Sequence, residues 1–149
     1  MNRDELLIEL HRMQIEIDRL KHLEIGPQWI YLAAPLTSTD WDGDARSTTA
    51  KTLIDLSTVF GVPANVKAID VRAIVNDSGS AATDCYLILG PTDVNFRGKA
   101  WRPEGRANDK HEDHSDIVPC DGNGDIYYQI AATGVGTFDV FIEIWGYAL

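Results

Sequence analysis

The first 25 residues carry apolar side chains at alternating spacings of four and three, which is the repeat of a coiled-coil helix. Polar and charged residues fill most of the positions between them. Gly26 and Pro27 follow, and they predict the end of the helix because glycine caps a helix C-terminus and proline cannot continue one. A helix of this length is marginal in water by itself, so it requires partners. We refer to the five repeating positions as the heptad seam: Leu6, Leu10, Met13, Ile17 and Leu20.

A second pair of apolar residues lies on the opposite face of the predicted helix. Ile8 and Ile15 are seven residues apart, so they share one side of the helix, away from the heptad seam. Two interpretations stay open for this back face. Either both isoleucines are tolerated as exposed residues, or the back face packs on a second surface, which is the chain's own β domain or a neighbouring protein.

From residue 29 onward the hydrophobic period changes from that of a helix to two, which is the period of a β-strand. The clearest alternation predicts strands over residues 69–75, 84–89, 126–132 and 138–147. Shorter candidates cover residues 29–33, 48–55, 99–102 and 116–118. Many short strands separated by Gly, Pro, Asn and Asp predict a mainly β domain over residues 29–149, an antiparallel β-sandwich of jelly-roll type. No helical period lies between the strands, which excludes a parallel α/β sheet.

Residues 91–117 are polar and predict a long surface loop, the kind of segment where binding residues of β-sandwiches usually lie. Trp101 and Trp41 fall in polar surroundings and are predicted to be surface residues. The candidate ligand-binding residues of this loop are its arginines, its tryptophan and its histidines: Arg97, Trp101, Arg102, His111 and His114. The histidines are most simply solvated, because a metal would need a third ligand that the spacing does not supply.

Two short segments space oxygen side chains at every second residue, as the first part of a calcium-binding loop does. One consists of Asp121, Asn123 and Asp125, and the other holds the three aspartates of residues 40–44. Neither has the bidentate glutamate that completes an EF-hand, so a tight turn is the simpler interpretation of each. We therefore expect no cofactor, with calcium at Asp121, Asn123 and Asp125 as the alternative.

The amino-acid composition limits the classes of protein and of binding partner that fit the chain. The chain has 149 residues, a net charge of −10 and 44% apolar residues, which fit one globular domain with an appendage. So acidic a chain repels phosphate backbones and anionic lipid, so we expect neither a nucleic-acid nor a membrane partner. The N-terminus is too charged for a signal peptide, and no apolar run is long enough to span a membrane.

The two cysteines do not suggest a metal site. Cys85 and Cys120 match no zinc spacing and are expected to be small buried hydrophobes without a disulfide.

No enzymatic motif stands out in the sequence. It contains no nucleophile elbow, phosphate loop, zinc-protease motif or dinucleotide fingerprint. Carboxylates are plentiful, but a catalytic pair needs surroundings that separate the two pKa values, and no pair is singled out in that way. We therefore expect that the protein is not an enzyme.

Five sequence segments follow one another in the β region: PLTSTDWDGD at 35–44, KTLIDLS at 51–57, FGVPANVKA at 60–68, VPCDGNGDIY at 118–127 and IWGY at 144–147. In their order these segments resemble the β domains of bacteriophage and prophage structural proteins, typically those of appendage or fibre tips. The resemblance covers residues 29–149, and no catalytic motif is among the segments.

This resemblance implies a non-enzymatic, trimeric virion protein that is made in the host cytoplasm. Together with the heptad seam it predicts a homotrimer, with helices at 1–25 that contact other virion proteins and β domains that face outward. Two roles stay open: a tail-fibre or receptor-binding tip, which would bind a host-surface glycan, and a capsid decoration or head-fibre protein. The alternative from a different class is a carbohydrate-binding β-sandwich module, with or without calcium.

Overall fold

Two antiparallel sheets enclose one apolar core in a computed structural model of the chain, which describes residues 3–21, 26–46, 50–77, 85–103, 110–131 and 138–149. The chain starts with a 19-residue helix and continues almost entirely in strands. In chain order the elements are α1 (Arg3–Lys21), β1 (Trp29–Leu36), a 3-10 turn (Thr39–Trp41), β2 (Asp42–Arg46), β3 (Thr52–Ile54), α2 (Leu56–Phe60), β4 (Ala68–Asp77), β5 (Tyr86–Gly90), β6 (Lys99–Trp101), β7 (Lys110–Pro119), β8 (Ile126–Ala131) and β9 (Phe138–Ala148).

The strand pairing is that of a jelly roll. One sheet has the order β1-β9-β4-β7, with β2 also paired to β9, and the other has the order β3-β8-β5-β6. Four pairs are nested around the middle of the chain: β1 and β2 with β9, β3 with β8, β4 with β7, and β5 with β6. Every pair is antiparallel. A long antiparallel ribbon rolled into two facing sheets is the jelly-roll arrangement, so the predicted fold class is confirmed.

The alternation of side chains along each strand explains why the sheets face each other. In β9 the residues at every second position, from Phe138 to Ile144, are buried, while those between them are only half-buried. Valines and isoleucines of β4 follow the same period and point to the same core. The opposing sheet contributes its own row of fully buried residues: Leu87, Leu89, Ile126 and Ile130.

Most predicted strands are found, with shifted ends. The four clearest predictions correspond to β4, β5, β8 and β9, and the helix predicted at 1–25 corresponds to α1. Residues 22–25 and 132–137 lie outside the described part of the chain, as does Asp84. Of the candidate at 48–55, residues 48 and 49 lie outside the described part of the chain, and β3 covers Thr52–Ile54. The strand stops before Asp55 because this residue caps the short helix α2, accepting a hydrogen bond from the Thr58 amide at 2.9 Å.

The prediction of one long loop over residues 91–117 is wrong. The segment contains β6, and residues 110–119 form the ten-residue strand β7. Sequence alternation indicates only residues 116–118 of this strand, because β7 is an edge strand whose inward positions before Val118 are polar. Glu112, His114 and Asp116 pair with residues of β4 that face the core, yet all three remain half-exposed at the open side of the sandwich. Aspartates at residues 42 and 44 likewise belong to a strand, β2, and not to a loop.

Candidate functional site

The heptad seam of α1 is exposed along its whole length. Its five residues keep 43% to 55% of their surface accessible, although all are large and apolar. Charged residues flank the seam, and two of them form ion pairs with the glutamates three positions earlier, Arg12 with Glu9 at 4.0 Å and Arg19 with Glu16 at 3.6 Å. Such exposed pairs add little stability, so α1 has an unsatisfied apolar stripe and a solvated polar surface.

The back face of α1 is exposed too. Ile8 and Ile15 keep 67% and 56% of their surface accessible. Packing of this back face on the chain's own β domain, which was one of the interpretations from sequence, therefore does not occur. Two interpretations of the back face stay open: the isoleucines are tolerated as exposed residues, or they contact another protein.

Trp101 is a core residue, so its prediction as a surface residue is wrong. The side chain has no accessible surface. Its indole nitrogen donates a hydrogen bond to the His114 carbonyl at 2.9 Å, and its ring stacks on the His114 imidazole with centroids 4.9 Å apart. Because its side chain is enclosed, Trp101 is not available to contact a ligand in this structure.

Trp41 is also buried, contrary to its prediction as a surface residue. It ends the 3-10 turn and retains 4% of its surface. Its ring meets Tyr128 edge to face at 4.7 Å, and the Arg46 guanidinium lies over it at 3.7 Å. The tryptophan thus fills the gap between β2 and the opposing sheet and is held there by a cation–π contact.

His111 and His114 lie in a strand, so their spacing of three places them on opposite faces. His114 faces inward, where its Nδ1 lies 3.1 Å from Glu112 Oε1. His111 is exposed and pairs in register with Asn76 of β4. The two imidazoles therefore do not converge on a common ligand. The Glu112–His114 pair orients one ring.

The side chains of Asp121 and Asp125 bind main-chain amides. Asp121 Oδ1 accepts hydrogen bonds from the amides of Asn123 at 2.8 Å and of Asp125 at 3.0 Å. Asp125 Oδ1 accepts one from the amide of Leu56 at 3.0 Å. Asn123 contributes its carbonyl, which accepts from the Asn65 amide at 3.1 Å. These bonds make the segment an aspartate-stabilised turn that fixes α2 to the start of β8.

Arg97 and Arg102, like His111, are predicted ligand-binding residues that are exposed, and both lie in the part of the chain around β6. Arg102 places its guanidinium 5.1 Å from the centre of the Tyr86 ring. Tyr86 in turn lies 6.2 Å from the ring of Phe96, the residue before Arg97. The structure thus brings Arg102 together with an aromatic pair that no sequence pattern indicates, and Arg97 follows one ring of that pair in the chain.

Phe96 sits in a backbone conformation that favours glycine. It occupies the third position of a β-turn closed by a hydrogen bond from the Arg97 amide to the Val94 carbonyl at 3.3 Å, and its φ is 64°. A phenylalanine there costs about 1 kcal/mol. Even so, its ring remains 68% exposed. No sequence signal identifies this position, because a positive φ at an aromatic residue follows only from the folded loop.

Lys51 lies beside the same loop. Its amide donates to Asn95 Oδ1 at 3.2 Å, and its ammonium group donates to the Tyr127 carbonyl at 3.4 Å. Partial burial lowers the pKa of Lys51 to about 8, so at neutral pH most copies keep a positive charge. We refer to Lys51, Tyr86, Phe96, Arg97 and Arg102 together as the Phe96 surface.

The outer face of the other sheet carries a charged network. Arg72 of β4 donates to both carboxylate oxygens of Asp113 of β7, at 2.8 and 2.5 Å, and to Glu143 of β9 at 3.1 Å. Trp145 donates to the same Glu143 oxygen at 3.1 Å. The Arg72 guanidinium holds the pKa of Asp113 below its usual value. This network ties three neighbouring strands together and satisfies its own charges.

The described residues include neither a metal-binding cluster nor a membrane-spanning helix. Over the described ranges, no group of three or more His, Cys, Asp or Glu side chains is placed to hold a metal ion. Within the same ranges, no helix is both long and apolar enough to cross a membrane.

Comparisons with known proteins give little. No family model matches the chain, and no curated protein matches it. Among solved structures, the chain is similar to the VP2 subviral particle of infectious bursal disease virus, with 13% identity and a TM-score of 0.32 over 83% of this chain. The chain spans about a third of that protein, 32% of its length. So loose a superposition adds nothing to the jelly-roll assignment, which rests on the strand pairing.

Proposed function

We propose that this chain is a non-enzymatic structural protein of a bacteriophage particle and assembles as a homotrimer through the heptad seam of α1. Three features support the proposal. The β region resembles phage structural proteins in the order of its sequence segments. The fold is a jelly roll, an architecture that viral capsid domains share with lectins. The N-terminal helix carries an exposed apolar stripe.

The exposure of the heptad seam is the main support for self-association. Removing the remaining surface of a leucine, isoleucine or methionine from water contributes about 1 kcal/mol, and the seam offers five such residues per chain. A helix of 19 residues is marginal in water without such burial. Self-association therefore supplies the stability that α1 lacks, and a threefold axis extends naturally from three helices to three jelly rolls.

The back face of α1 suggests how the trimer attaches. Once the heptad seam is enclosed, Ile8 and Ile15 stay on the outside of the helical bundle, where other virion proteins can cover them. The jelly rolls then project outward. This arrangement suits a tail-fibre or receptor-binding tip and also a capsid decoration or head-fibre protein, and the two roles differ only in the particle surface to which α1 attaches.

Antibody labelling of purified particles tests this proposal. We expect labelling at one defined place, the tail tip or the capsid surface, in particles with the wild-type chain. Replacing both Ile8→Asp and Ile15→Asp should leave trimers in the lysate and unlabelled particles, because the back face no longer attaches. Particles that carry no label with the wild-type chain, while the protein is present in the lysate, would contradict the proposal.

A further inference from the structure

The exposed ring of Phe96 has no explanation within the fold of this chain. Its backbone is held at a positive φ that Gly or Asn adopts more easily, and its ring contacts Tyr86 only along one side. Val94 and Leu53 beside the loop are also apolar and each remain 48% exposed. A position that combines backbone strain with an exposed aromatic ring is typical of a binding site.

The loop that carries Phe96 is fixed to the sheet below it. The Phe96 amide donates to Oε1 of Gln129, a buried residue of β8, at 2.7 Å. The Asn95 side chain accepts from the Lys51 amide. Gly98 packs so closely on the Leu89 carbonyl that any side chain there would collide with it. The ring is thus presented by a preorganised loop, which reduces the entropy lost when a ligand binds.

The charge around Phe96 is opposite to that of the whole chain. Residues 91–103 contain three basic residues and only one acidic residue, Asp93, whereas the net charge of the chain is −10. One of the three, Lys99, is neutralised by Asp116 at 3.1 Å. Arg97 and Arg102 are exposed, and Lys51 lies beside the loop, where its amide binds the Asn95 side chain. A cationic patch on an acidic protein attracts an anion specifically to that patch.

We propose that the Phe96 surface binds an acidic glycan: the Phe96 ring stacks on a sugar, and Arg97 and Arg102 bind its carboxylate or phosphate groups. This inference rests on the proposed function, because it names the ligand class of the outward jelly rolls. A protein partner fits less well. Three exposed apolar side chains fall far short of the roughly 800 Å² per partner that a stable protein interface buries, whereas an oligosaccharide needs one stacking ring and a few polar anchors.

Calorimetry with three soluble probes tests the site on the full-length protein. We expect an alginate hexamer, which is carboxylated, to bind, and neutral maltohexaose not to bind. Inorganic polyphosphate, which has charge without sugar rings, should bind at least about tenfold more weakly than alginate. Phosphorylated sugars remain within the proposal, and a phosphorylated oligosaccharide that outcompetes alginate would identify the natural anion as phosphate.

The key variant is Phe96→Gly, which removes the ring and relieves the strained φ. We expect alginate affinity to fall at least about tenfold while the melting temperature stays the same or rises. Arg102→Gln should weaken binding as well. Two matched controls should bind like wild type: Tyr31→Ala, which removes an aromatic ring with 71% exposure on the other sheet, and Arg12→Gln, which removes an exposed arginine of α1.

Three outcomes would overturn the inference. They are no alginate binding by the wild-type trimer, equal binding of alginate and polyphosphate with no effect of Phe96→Gly, and a change of oligomeric mass in Phe96→Gly. The last would assign the surface to contacts between copies. Failure of the proposed function is seen separately, because the mass of the wild-type protein and its presence in particles do not depend on this ligand.

Discussion

The indole nitrogen of Trp101 donates a hydrogen bond to the main-chain carbonyl of His114, and the two rings stack with an angle of 13° between their planes. Trp101 belongs to β6 and His114 to β7, which are edge strands of opposite sheets. This contact therefore closes the side of the sandwich on which β7 presents polar residues to the interior. The segment that looked like a ligand-binding loop is, at Trp101, part of the architecture.

Trp101→Ala should destabilise the fold strongly. Deleting a fully buried tryptophan side chain costs about 3–5 kcal/mol, which lowers the melting temperature by roughly ten degrees or more. Trp101→Phe keeps most of the apolar contact but loses the hydrogen bond to His114, so its loss should be near 1–2 kcal/mol. Thermal melts of both variants and of the control Arg102→Ala measure these effects. A Trp101→Ala variant as stable as the control would contradict the buried position of the side chain.

The Arg72 network should contribute stability that depends on pH. The hydrogen bonds from Arg72 lower the pKa of Asp113 below its usual value in the folded chain. The stabilisation is therefore complete above the unfolded pKa and is lost as the pH falls through the lower folded value. Arg72→Met should lower the melting temperature at pH 7, and its difference from wild type should shrink below about pH 4 and in molar salt. A difference independent of both pH and salt would indicate lost packing instead.

Neither thiol should react in the folded protein. Cys85 is buried, and burial next to Asp121 and Asp125 raises the pKa of Cys120 to about 12. Because the thiolate is the reactive form, alkylation at pH 8 should label no cysteine before unfolding and two per chain in guanidinium. One rapidly labelled thiol in the native protein would contradict the environment of Cys120. Unlabelled cysteines after unfolding would reveal a disulfide, whereas neither Cys85 nor Cys120 forms one in this structure.

The turn at Asp121 should depend on its carboxylate and not on calcium. Asp121→Ala leaves the amides of Asn123 and Asp125 without their acceptor, which should cost about 1–3 kcal/mol. Asp121→Asn keeps an acceptor oxygen and should lose less. Addition of a chelator should leave the wild-type melting temperature unchanged. A fall on chelation that calcium restores would instead establish the calcium site that the spacing left open.

The sequence predicts most where one face of an element is apolar. The alternation in β4 and β9 marks the centre of one sheet, and glycine, proline and asparagine mark its turns, so the jelly roll was predictable as a class. The heptad seam was predictable for the same reason, since its period distinguishes a helix from a strand.

Two features escaped prediction for physical reasons. Before Val118, the inward positions of β7 hold Glu112, His114 and Asp116, so most of the strand has no apolar face and its sequence predicts a loop. The polar residues beside Trp101 in the sequence predict that it lies at the surface. In the fold, its side chain packs in the core and against His114. The Phe96 surface depends on a backbone angle and on contacts of residue 86 with residues 96 and 102 and of residue 51 with residue 95, which no local pattern encodes.

The molecular mass of the wild-type protein in solution tests the trimer most directly. Light scattering at micromolar concentration should give three times the chain mass of 16.5 kDa. Replacing both Leu10→Asp and Ile17→Asp in the heptad seam should give the monomer, because each aspartate would bring a charge into the apolar interface. The matched pair Ile8→Asp and Ile15→Asp, with the same spacing on the back face, should remain trimeric. A dimer would keep the coiled coil but reject the threefold axis, and a wild-type monomer would contradict the account as a whole.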